Sequence, residues 1–75
     1  MSNLPVISGR ECIKALEKAG FNVDRQRGSH VILVRDEPAP SRTVSVPNHK
    51  ELKPGTLRSI IKQAGLTVDG FLALL

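Results

Sequence analysis

Residues 22–34 read "NVDRQRGSHVILV", and the division of this stretch decides the fold. Val31-Ile32-Leu33-Val34 is an apolar, largely β-branched run of the kind that strands favour. Ahead of it, Arg27-Gly28-Ser29 supplies turn chemistry, since glycine accepts backbone angles closed to other residues. Asn22 to Arg27 mixes polar and apolar side chains, with Val23 on one face. The stretch therefore predicts a β-hairpin, and His30 opens its second strand in a chain with two histidines.

Upstream, Ser8-Gly9-Arg10-Glu11 fits a capping box, in which the Ser8 hydroxyl accepts from the Glu11 N–H and the Glu11 carboxylate accepts from that of Ser8. Ile7 and Cys12 stand where a hydrophobic staple would close around this turn. Cys12, Ile13, Leu16 and Ala19 then recur along one helical face, and Gly20 followed by Phe21 reads as a Schellman stop.

Downstream, "DEPAPSR" (36–42) holds two prolines that cannot donate to a ladder, which predicts a surface loop. "TVSVP" (43–47) alternates Thr43 and Ser45 against Val44 and Val46, as a third strand would. Pro47-Asn48-His49-Lys50 leaves the sheet, and Pro54 suits the first turn of a helix whose apolar face is Leu57, Ile60, Ile61 and Ala64. Gly65-Leu66 repeats the stop at Gly20-Phe21, as shared capping physics rather than an internal repeat. Thr67 can cap a short last helix in "VDGFLALL" (68–75), which either completes the core or offers a docking surface. The predicted fold class is α+β: helix, three-stranded antiparallel sheet, helix and a short C-terminal helix. Both long helices need the same sheet face, which leaves the other face open.

A length of 75 residues allows one small domain, residues 1–75. Aromatic residues make up 3% of the chain, so base-stacking platforms for single-stranded nucleic acid are scarce. Eleven Lys+Arg against seven Asp+Glu give a net charge of +4, which favours an anionic partner such as nucleic acid without naming one. Cys12 is the single cysteine, which excludes an internal disulfide and a C-x-x-C metal site. Met1 to Ile7 shows neither the basic start nor the apolar run of a leader, and no segment is long enough to span a membrane. The default compartment is the cytoplasm.

Taken alone, a histidine at a strand start is a half-exposed surface residue. Three neighbours argue for more: Gly28 permits close approach by a partner, Ser29 offers a hydroxyl, and Arg25 and Arg27 share a strand face at period-two spacing, where they could hold phosphates. An imidazole both takes and gives protons near neutral pH, which cleavage of RNA through its 2′-hydroxyl requires. His30 is the candidate catalytic residue, and His49 the candidate second acid/base or else a turn residue after Pro47. Lys50, Lys53, Arg58 and Lys62 cluster around the second long helix, either as phosphate contacts or as a solvated face. No metal spacing joins His30, His49 and Cys12, and adjacent strand residues such as Ser29 and His30 point apart, against a Ser-His pair.

"SGRECIKALEKAGF" (8–21), "RQRGSH" (25–30), "VSVPNH" (44–49) and "LKPGTLRSIIKQAGL" (52–66) follow one another in an order that resembles the HicA family of bacterial messenger-RNA interferase toxins. The resemblance covers nearly the whole chain. It implies a double-stranded-RNA-binding-domain-like fold whose sheet carries the catalytic histidine, here His30, and an endoribonuclease that cuts messenger RNA with no metal or other cofactor. It also implies a HicB-type antitoxin that blocks the site, with operator DNA reached only through that partner. The loop "DEPAPSR" is longer and richer in proline than the family's usual turn at this place. A non-catalytic double-stranded-RNA-binding module on the same basic face, or a protein-interaction domain presenting "FLALL" (71–75), are the competing readings of the same residues.

Overall fold

The computed structural model describes residues 4–75. Met1, Ser2 and Asn3, part of the segment read as lacking a leader, lie outside the described residues. The first helix, α1 (Gly9–Lys18), begins with the predicted capping box: the Glu11 N–H donates to Ser8 Oγ at 3.0 Å, and the Ser8 N–H donates to Glu11 Oε1 at 3.0 Å. It ends as a Schellman turn, with Gly20 at φ 97° and the Phe21 N–H donating to the Leu16 carbonyl at 3.1 Å. That turn drops Phe21 into the core, where it is 1% exposed.

Strands β1 (Asn22–Arg27), β2 (His30–Arg35) and β3 (Arg42–Pro47) form an antiparallel sheet in the order β1-β2-β3. Gly28 takes φ 60° in the tight turn between the first two, a conformation glycine adopts without strain. Along β2 and β3, Val31, Leu33, Val44 and Val46 are buried and alternate with more exposed residues. This apolar face meets Cys12, Ala15 and Leu16 of α1 and Leu57, Ile60 and Ile61 of α2 (Pro54–Gln63) in one core. Helix α2 lies against β3. It stops at Gly65 (φ 74°) with the Leu66 N–H on the Ile61 carbonyl at 3.1 Å, the same device that ends α1. Helix α3 (Val68–Leu72) is capped by Thr67 Oγ1, which accepts from the Gly70 N–H at 2.9 Å, and its Phe71 completes the core at 0% exposure.

The structure redraws three details. Arg42 belongs to β3 rather than the loop, because it pairs with Arg35 and extends the ladder by one rung. All six residues of β1 are exposed, and a bulge between Val23 and Arg25 interrupts its register. The last helix ends at Leu72, short of the segment predicted. Among the described residues no helix is long and apolar enough to cross a membrane.

Candidate nucleic-acid interface

In an antiparallel ladder, residues directly opposite one another share a face. Arg27, His30 and Pro47 form one such row across the three strands, and Arg25, Ile32 and Ser45 form the next on that face. Because Val31 and Leu33 point into the core, His30 stands on the opposite sheet face and is exposed. The bulge at Asp24 lets Val23 fall opposite Leu33 while Arg25 and Arg27 keep their places opposite Ile32 and His30. Gly28 and Ser29 make the turn that fixes this register, and Gln26 Nε2 ties it by donating to the Gly28 carbonyl at 3.1 Å.

A cleft of about 430 Å³ lies between this sheet face and α2, lined by His30, Ser45 and Pro47 on one side and by Gly55, Thr56, Ser59, Ile60 and Gln63 on the other. A second cleft of about 260 Å³ holds His49, Glu51 and Lys53 and shares Pro47 and Thr56 with the first. The two histidines thus sit on either side of one ridge.

That ridge is held by backbone hydrogen bonds. The Asn48 N–H donates to the Ser29 carbonyl at 2.7 Å, the Gly9 N–H to the His49 carbonyl at 2.8 Å, and the Leu52 N–H to the Ile7 carbonyl at 2.8 Å. Gly9 is pressed so close that a Cβ there would lie 2.2 Å from the Pro47 carbonyl oxygen. The start of α1 and the hairpin turn therefore clamp the segment carrying His49 between them.

The predicted cations divide. Arg25 is paired with its neighbour Asp24 at 2.6 Å, both partners well exposed, and Arg27 makes no ion pair among the described residues. Lys53 joins His49 in the second cleft. Lys50, Arg58 and Lys62 are exposed and line neither of these clefts. The wall facing His30 is instead the uncharged stripe Thr56, Ser59 and Gln63, which the sequence reading passed over. Its signal was present: those residues are spaced three and four apart, between the apolar stripe and the Arg58/Lys62 stripe. Cys12 is 0% exposed, and burial pushes its thiol up to about 12, so it supplies no nucleophile at neutral pH. Among the described residues no group of three His, Cys, Asp or Glu side chains could hold a metal ion.

Residues 9–66 match the family described as HicA toxin of bacterial toxin-antitoxin systems. The chain belongs to the HicA toxin family. No curated protein matches it. The matched span runs from the first residue of α1 to the stop of α2, so both clefts and every candidate cation fall within the HicA part of the chain. Membership makes it the toxin partner of a toxin-antitoxin pair, which implies an antitoxin to restrain it.

Proposed function

We propose that this HicA chain is a cytoplasmic endoribonuclease that cleaves messenger RNA without a metal, acts as one domain over residues 1–75, and is neutralised by a HicB-type antitoxin. The observation that carries the reading is the exposed His30 on the wall of the larger cleft, in one row with Arg27. In the proposed reaction His30 removes the proton from a ribose 2′-hydroxyl and the oxygen attacks the adjacent phosphorus. The bond to the 5′-oxygen breaks, and a proton returns to that oxygen, leaving a cyclic phosphate and a free 5′-hydroxyl. Arg25 and Arg27 steady the phosphate, and Lys50, Lys53 and Arg58 hold the flanking backbone. His49, across the ridge at Pro47 and Thr56, is the proposed second proton carrier.

The competing reading, a non-catalytic module that holds double-stranded RNA, shares the basic face and differs at His30. His30→Ala is expected to keep RNA in a gel shift while fragmentation falls about 10²–10⁴-fold, the usual worth of a general acid or base. Undiminished fragmentation by that variant would sink the catalytic role. Binding that ignores added salt would sink both RNA readings, because phosphate contacts weaken steeply with ionic strength. Co-expression with a HicB-type antitoxin should suppress the cleavage.

A further inference from the structure

We infer that the uncharged wall of the larger cleft, Ser45, Thr56, Ser59 and Gln63, holds one unpaired nucleobase beside the cut, so that the substrate is a single-stranded segment and the wall sets which nucleotide flanks the scissile bond. This rests on the nuclease reading of His30.

Four observations lead here. The cleft, about 430 Å³ and broadly open to solvent, offers room on the scale of small-ligand sites (~300–1,000 Å³) while leaving an entry for a polymer. No cation lines it, whereas phosphates are gripped mainly by Lys and Arg; the wall opposite His30 is therefore built for something other than backbone. The side chains of Ser45, Thr56, Ser59 and Gln63 make no hydrogen bond among the described residues, while Ser8 and Thr67 close helix caps with theirs. Their hydroxyls and amide are open to an incoming donor or acceptor, and Gln63 offers both on one planar group. Finally, both phenylalanines are buried, at 1% and 0% exposure, and the chain has no Trp or Tyr. Stacking on a Phe, Tyr or Trp platform, the usual way to hold a splayed base, is closed to this chain.

A base in this cleft is held chiefly by its edge, with Pro47, Ile60 and the His30 ring offering contact to its face. A paired base in an A-form duplex has its Watson–Crick edge occupied and sits inside the stack, so it cannot enter. The sheet side of the site supplies charge and the imidazole, and the helix side supplies discrimination.

The test uses the full chain and short oligoribonucleotides that differ at one position next to the cut, each also annealed to its complement. Wild type should cut single strands with a preference at that position and should cut the duplex poorly. Combining Thr56→Val, Ser59→Ala and Gln63→Met, which keep shape and lose polar groups, should lower kcat/KM for the preferred nucleotide about tenfold and level the preference. The salt slope of binding to the uncleaved 2′-deoxy analogue should stay as in wild type, because no phosphate contact is removed. Should the combined variant fail to fold, each single substitution carries the same comparison. A preference that survives these substitutions, or equal cutting of duplex and single strand, overturns the inference and leaves the nuclease reading standing. Absence of any His30-dependent cutting overturns both.

Discussion

Arg35 and His30 occupy opposite ends of β2, five residues apart, and the odd spacing sends their side chains to opposite faces. Arg35 lies opposite Arg42, a pairing of like charges that an exposed ladder would resist. The two are drawn apart by the helices: Arg35 Nη1 donates to the Ala19 carbonyl and Arg42 Nη1 to the Gln63 carbonyl, each at 3.4 Å, one at the end of α1 and one at the end of α2. Helix C-termini carry partial negative charge and take a cation readily. Arg35 also lies 4.8 Å from the centre of the Phe21 ring and keeps its Nε buried without a partner, which marks it as packed rather than solvated. At the His30 end the nearby helix ends are N-termini, Gly9 of α1 against Pro47 and Gly55 of α2 across the cleft, and their partial positive charge draws no cation. Arg27 has no ion-pair partner among the described residues, and Arg25 holds only its neighbour Asp24. The same residue type closes the fold at one end and is left for a ligand at the other; position relative to the helix ends makes the difference.

This contrast can be broken at its junction. Gly9→Ala should have the largest effect, at the upper end of the ~1–3 kcal/mol typical of overpacking, because the added carbon meets the Pro47 carbonyl and not a flexible side chain. Denaturant midpoint and RNA cleavage should fall together as the segment from Pro47 to His49 shifts. A variant as stable and as active as wild type would show that the clamp between α1 and the His49 segment is dispensable. Arg35→Ala comes next, with an expected loss of ~1–2 kcal/mol from the packed guanidinium and its contact with Phe21. Cleavage measured well below the melting transition should be unchanged, and a selective loss of activity would erase the division between the two ends. The smallest effect on the fold belongs to Arg25→Ala combined with Arg27→Ala. The melting temperature should stay within error, while RNA affinity falls and the slope of log K against log salt flattens by about 0.7 for each lost phosphate contact. An unaltered slope would remove these arginines from the interface.

Much of this was legible before any coordinates. The capping box, the two Schellman stops and the Gly28 turn are events within a few residues, governed by local hydrogen bonds and by glycine's freedom at φ 97°, 60° and 74°. Alternation in "TVSVP" (43–47) located the buried face of β3, whereas the unbroken apolar run Val31 to Val34 left the face of His30 to be decided by the packing. The rest depends on which elements become neighbours. Arg42 reads as loop until Arg35 is placed across from it. Gly9 reads as one more residue of a cap until the Pro47 backbone arrives against it. Arg58 and Lys62 drew attention by charge, yet it is the neutral flank of α2 that faces the cleft. The helix buries Leu57, Ile60 and Ile61 against β3, and that packing decides which flank turns toward the open sheet face.

The sequence by itself determined the elements, their stops and most of the core, because each follows from contacts close along the chain or from simple periodicity. Only the tertiary structure decided that His30 shares a cleft with an uncharged helix flank, that His49 lies beyond a ridge, and that two arginines serve the helices. Those outcomes come from packing between distant segments, where burial of the common core sets the rotation of each helix and the polar faces go where that rotation takes them.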